Sequence, residues 1–278
     1  MIEALWIMMV IGASCSLMGN LLVLKQNVMV ADAISHTILL GIVLAFFIVP
    51  DLDSPFLQVG ATLFGVVTVL SIEALAKTKR LQHDAAIGLV FPAFFSIAVL
   101  LISRYFKNVH LDIDMVLLGE IVFAPLNRMD ILGISLPKAF VQGIVLFIVN
   151  VAFIIAYYGR LKLRLFDETL ARTIGIYVGL LDVLMMTLVS LTSVLSFQSV
   201  GAILVLSLMI APALTAKCLA TSFPQLLVLG VFISMVNCTL GYISATYFNV
   251  SLSGMVAVVS ILTFLLVFIA KRRLTRHA

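Results

Sequence analysis

Charge is what this chain has least of. Only 11% of its 278 residues are charged, while 63% are hydrophobic. A soluble domain of this size carries about a quarter charged residues. The deficit, with a mean hydropathy of +1.24, excludes a soluble globular domain and defines an integral membrane protein. Cysteine is also scarce. Cys15, Cys218 and Cys238 lie in or at the edge of apolar runs without any C-x-x-C spacing, which argues against a disulfide framework. The signatures G-x-x-x-x-G-K-[ST], H-E-x-x-H and G-x-S-x-G are absent. The chain therefore does not bind ATP through a P-loop, and two common hydrolase centres are missing. No TVGYG-like selectivity filter occurs either. The 12 methionines form no ligand cluster and read as packing residues. Internal repeats, low-complexity tracts and a soluble domain are lacking, and nucleic acid is not an expected partner.

What is present is a series of apolar runs. Most are long enough for a membrane helix, and longer than the roughly ten-residue alternating strands of a barrel. They predict an all-α polytopic bundle of 8–9 transmembrane helices, with candidate spans at about 4–24, 31–49, 56–76, 85–103, 139–158, 177–196, 200–219, 225–246 and 252–270. FQSVGAILV, around 197–205, is compatible with a broken or re-entrant helix. The first residues, MIEALWIMMV, lack the basic start of a signal peptide and read as a retained first span. One transmembrane domain, 1–278, is expected.

The basic residues are distributed unevenly. One set of connections holds Lys25, Lys77, Lys79, Arg80, Arg160, Lys162, Arg164, Arg172, Lys217, Lys271, Arg272, Arg273 and Arg276, which is 13 of the 17 Lys and Arg. The other holds Arg104, Lys107, Arg128 and Lys138. The positive-inside bias assigns the first set to the cytoplasm. The N-terminus is then outside and the C-terminus inside.

The inner connection, about 160–176, contains FDETLARTIG. Asp167 is placed to cap a short helix, Glu168 sits where the helix dipole favours a negative charge, and Gly175 supplies a stop. Phe166, Leu170 and Ile174 recur at i+4 and form an apolar stripe. The stripe either packs on the membrane surface or its own bundle, or docks on a cytoplasmic partner.

Asp32 and His36 are the unusual residues. They occupy neighbouring positions, i and i+4, on one face of the second span. Ionisable side chains at membrane depth cost at least a few kcal/mol. A carboxylate and an imidazole together suit a divalent transition metal, and a second copy of the pair would complete a four-ligand site. The alternative is a helix-packing hydrogen bond. His110, Asp112, Asp114 and Glu120 cluster in the outer connection, either as receptors for a cation or binding protein or as ordinary solvated loop residues. Glu73 and Asp182 read as interfacial residues near cytoplasmic span ends. Asp84, beside His83, reads as the N-cap of the fourth span.

Five stretches, in order, resemble the ABC-3 family of membrane permeases. VMVADAISHTILLGIVLAFF is similar to the family's DALSH span, and HDAAIGLVFPAFFSIAVLLIS to its second motif span. LDIDMVLLGEIVFAP is similar to its outer LLGEIL segment, FDETLARTIGI to its FDPE loop, and SVGAILVLSLMIAPALTAKCLA to a later span. The resemblance covers nearly the whole chain and is nearest to manganese-importer permeases. It departs at Leu40, where many members have Pro, at Ala31, where many have Gly, and in lacking the Pro before Glu168. Loss of that first proline predicts a straighter second span.

The resemblance implies an ABC importer permease fold with a cytoplasmic coupling helix. It implies translocation of manganese, or alternatively zinc or iron, past Asp32 and His36. Phe166, Asp167, Glu168, Leu170, Ala171, Ile174 and Gly175 would form the coupling segment. ATP hydrolysis would lie in a separate cytoplasmic subunit, so the chain is not itself an enzyme and keeps no permanent cofactor. An extracellular metal-binding protein and a second permease, identical or paralogous, are the other implied partners, in a bacterial cell membrane. The rival readings are an ATP-independent secondary transporter or channel using an Asp/His relay, an intramembrane hydrolase with His36 as base, and a non-transporting scaffold.

Overall fold

The computed structural model describes residues 2–51, 54–78, 80–105, 121–131 and 134–276. Among these, nine helices are long and apolar enough to cross a membrane. In chain order they begin with α1 (Ile2–Lys25), α2 (Met29–Ile48), α3 (Pro55–Lys77) and α4 (His83–Tyr105). A 3-10 turn, Ala124–Leu126, and two short strands follow, β1 (Arg128–Ile131) and β2 (Ile134–Pro137). Then come α5 (Lys138–Ala156), two short helices α6 (Tyr158–Phe166) and α7 (Glu168–Thr173), and the long helices α8 (Val178–Val200), α9 (Ala202–Leu219), α10 (Phe223–Phe248) and α11 (Leu252–Arg276).

Helices dominate because in a bilayer every backbone polar group must find its partner within the protein. Side chains follow the same rule. Thr62, Thr68, Ser96, Thr187 and Thr215 each donate to the carbonyl four residues back. The few interhelical polar contacts fix helix register. The Thr68 hydroxyl on α3 lies 2.9 Å from the Thr37 hydroxyl on α2, within hydrogen-bond reach, and Asn150 on α5 donates to Thr192 on α8 at 3.0 Å.

The bundle has two packing groups. α1 is the most enclosed helix and packs against α5, α8, α9 and α10, with α11 closing on α9 and α10. α2 packs against α3 and α4. α8 touches both groups, meeting α1 and α9 on one side and α2 and α3 on the other. Exposed apolar side chains such as Leu63, Leu100, Ile148 and Leu266 form the surface that lipid covers.

Four details differ from the sequence reading or resolve it. The 197–205 stretch is not a helix break inside one span. α8 runs to Val200 and α9 starts at Ala202, joined by Gly201 alone at φ 84, ψ 156, a region open essentially only to glycine. α2 is one uninterrupted helix of 20 residues. α4 starts at His83, so Asp84 lies in its first turn rather than at the N-cap. The outer connection contains the antiparallel β1–β2 hairpin, tied to α1 by Arg128 donating to Glu3 at 3.2 Å.

Candidate functional site

α2 is buried along most of its length, yet Asp32 and His36 are not. Val30, Ala31, Ala33, Ile34, Ser35 and Thr37 are all buried, while the Asp32 and His36 side chains are 47% and 40% exposed. Their shared helix face therefore points out of the chain's own core, one turn apart. His36 Nε2 lies 3.8 Å from Asp32 Oδ1. That is an ion-pair distance and exceeds hydrogen-bond reach, so the two groups do not satisfy each other. The His36 ring sits 5.2 Å from Phe91 and 5.9 Å, edge-on, from Phe95, both on α4. Ser35 turns away and donates to the Asp32 backbone carbonyl at 2.6 Å. Among the described residues, no group of three or more His, Cys, Asp or Glu side chains is assembled to hold a metal ion. Asp32 and His36 are two ligand-type side chains, whereas a bound transition metal commonly takes four or more donors. His110, Asp112, Asp114 and Glu120 lie outside the described residues.

The inner connection is two helices. α6 ends at Phe166, and Asp167 in extended conformation separates it from α7. Asp167 Oδ1 accepts from the Leu170 amide at 2.9 Å, capping α7. Gly175 follows the helix at φ +83, the left-handed conformation of a C-terminal stop. Phe166, Leu170 and Ile174 are 63%, 44% and 60% exposed, so the stripe stays largely uncovered by its own bundle, although the Phe166 ring reaches Phe223. Ala171 is fully buried. It packs α7 onto the bundle, while Phe166, Leu170 and Ile174 stay on the open side.

Sequence reasoning missed the role of Glu73 and Asp182. They are not simply interfacial. Arg164 on α6 grips Asp182 on α8 with two hydrogen bonds, Nε to Oδ1 at 3.0 Å and Nη2 to Oδ2 at 2.8 Å. Lys25 Nζ, at the end of α1, lies 3.3 Å from the same Asp182 Oδ2 and 3.1 Å from Glu73 Oε1 at the end of α3. Glu168 joins from α7, accepting from Arg164 at 2.7 Å and from Arg172 at 2.6 Å. Burial disfavours the Arg164 charge, but the hydrogen bonds and charge of Asp182, aided by Glu168 and Glu73, outweigh it and hold its pKa above the ordinary guanidinium value. A raised pKa on a cation means the pairing is complete below the unfolded value and is lost only as pH rises through the folded one. Arg164 therefore stays charged at every working pH. Beside this network opens a groove of about 640 Å³ lined by Lys25, Glu73, Arg164, Glu168, Arg172 and Asp182.

A bundle of long apolar helices, with a short capped helix on the 160–176 connection, is the form of a membrane permease. The chain belongs to the ABC 3 transport family, which matches residues 1–271. It is the membrane permease subunit of an ATP-binding-cassette importer, and the ATPase activity sits in a separate subunit. The chain is 42% identical to the manganese transport system membrane protein MntD of Bacillus subtilis, over 89% of this chain and 84% of that protein. It is 38% identical to the zinc transport system membrane protein TroD of Treponema pallidum, over 96% of this chain and 73% of that protein. Its fold is similar to that of the solved PsaBC from Streptococcus pneumoniae in complex with Fab. There the TM-score is 0.78 at 26% identity, over 96% of this chain and 90% of that one.

Proposed function

We propose that this permease imports a divalent transition-metal cation, with manganese as the leading cargo, past Asp32 and His36. The observation that carries the reading is their placement. Two ligand-type side chains stand one turn apart, partly open, in the early turns of a helix whose neighbouring positions Val30, Ala31, Ala33, Ile34, Ser35 and Thr37 are buried. A carboxylate and an imidazole bind manganese, zinc or iron, and the ion in turn offsets the cost of keeping a carboxylate at membrane depth. Two ligands are an incomplete set, which supports pairing with a second permease, identical or paralogous, whose own pair faces the first.

The exposed Phe166–Leu170–Ile174 stripe supports docking of α7 on the cytoplasmic ATP-binding subunit. The basic bias of the connections supports an outer N-terminus and a cytoplasmic C-terminus. An extracellular metal-binding protein delivers the ion to the outer face. Nucleotide binding and hydrolysis drive the paired permeases between outward- and inward-open states.

The test is elemental analysis of manganese, zinc and iron in cells expressing the permease with its ATPase and binding protein. The Asp32→Ala/His36→Ala double variant is compared at matched membrane levels. Accumulation of one metal by the wild type, lost in the variant, is the expected result. Equal accumulation by both would remove Asp32 and His36 from the path. Accumulation that persists without the ATPase would favour the ATP-independent transporter.

A further inference from the structure

We propose that the Asp182 carboxylate is the joint that carries movement of α7 to α2, with Arg164 and Lys25 as positioning residues on its two sides. This rests on the importer reading only for what α7 docks on. Asp182 Oδ2 is shared, 2.8 Å from Arg164 and 3.3 Å from Lys25. On the Arg164 side the chain of contacts continues to Glu168 of α7 at 2.7 Å. On the Lys25 side it continues to Glu73 of α3 at 3.1 Å. The pair at its centre is buried, with Arg164 and Asp182 side chains only 12% and 10% exposed. Water therefore screens it little, and the two-pronged guanidinium contact fixes direction as well as distance.

The link from Lys25 to the site helix is short and stiff. Lys25 ends α1 and Met29 begins α2. Between them the Asn27 amide donates to the Leu22 carbonyl at 3.0 Å and the Gln26 amide to Val23 at 3.4 Å. Gln26 is left-handed at φ 61. This is the two-bond helix-ending turn normally built on glycine, and it leaves no slack between Lys25 and α2. Asp32 lies in the first turn of that helix. α3 is fixed to α2 by the Thr68–Thr37 hydrogen bond, so the Glu73 branch reaches the same helix by a second route. A displacement of α7 therefore pulls on both helices of the α2–α3 pair through one carboxylate.

The experiment uses the permease co-purified with its ATPase subunit in lipid nanodiscs. A nitroxide label is placed on the permease at Leu44→Cys, an exposed position on α2, with Cys218→Ser so that the buried Cys15 and Cys238 are the permease's own remaining thiols. The spectrum is recorded before and after ATP with vanadate. The expected result is a nucleotide-dependent change at position 44 that shrinks about fivefold or more in Asp182→Asn, while the ATPase subunit stays bound at the same stoichiometry. An unchanged response in Asp182→Asn would overturn the proposal, as would the absence of any response in the parent. Loss of the ATPase subunit from Asp182→Asn would also overturn it, by making the network a docking element. If Asp182→Asn does not accumulate, Lys25→Gln serves, because it cuts the α1 side and leaves the Arg164–Asp182 pair in place. It is expected to blunt the response in the same way. Manganese, zinc and iron uptake is measured in parallel. Absence of uptake by the parent would overturn the cargo assignment while leaving the label result to stand.

Discussion

Two sets of ionisable side chains lie near one end of α2 and are built in opposite ways. Asp32 and His36 are held 3.8 Å apart, an ion-pair distance, and are half open, with no side-chain hydrogen bond among the described residues. Seven residues upstream, Lys25 enters a closed network in which Arg164, Asp182, Glu73 and Glu168 are joined at 2.7–3.3 Å. The closed set spends its charges on holding helices together. The open set leaves its polar atoms partly exposed, the arrangement the proposed metal path needs.

This contrast can be broken in a graded way. The largest effect is expected at the closed network. Arg164→Ala leaves Asp182 buried with one partner lost and should destabilise the fold by about 3–5 kcal/mol, read as a lowered thermal midpoint in detergent. A midpoint within about 1 °C of wild type would show the network to be ornamental rather than structural. Next comes the open pair, with the opposite profile. Asp32→Ala/His36→Ala should cut metal uptake about 100-fold while changing stability by no more than about 0.5 kcal/mol, because both groups are half exposed and unbonded. A large loss of stability would mean that they serve packing after all.

A third change separates docking from holding. Leu170→Asp places a charge in the exposed stripe of α7 and should release the ATPase subunit in a pull-down without lowering the thermal midpoint. The smallest effect is expected at the cap. Asp167→Ala removes the hydrogen bond to the Leu170 amide and should cost about 1 kcal/mol of local helix stability, visible as faster amide exchange confined to α7.

The parts of the molecule legible in the sequence were those set by local chemistry. Run length alone located the nine long helices, because the bilayer dictates element length. The α7 cap at Asp167 and its stop at Gly175 were readable because each acts within three or four residues. Asp32 and His36 were conspicuous because an ionisable pair is rare in so apolar a run. Other features depend on distant partners. Lys25 and Glu73 are 48 residues apart, so a single sequence shows each only as a charge near a span end. The β1–β2 hairpin was missed because four-residue strands carry too few alternations to register. Ala171 belongs to the same motif as the exposed stripe, and only packing shows that its side chain is buried.

α8 has a consequence beyond its contacts. Its 23 residues form a rod of about 35 Å at helical rise, with Asp182 near one end and the Gly201 corner at the other. A rigid rod gripped near one end and bent at the other is a lever. Tilting it by a few degrees from the Arg164 side swings the Gly201 corner, and the start of α9 with it, by an ångström or more on the opposite side of the membrane. The single carboxylate that ties one end of the bundle together is therefore also a handle on the other.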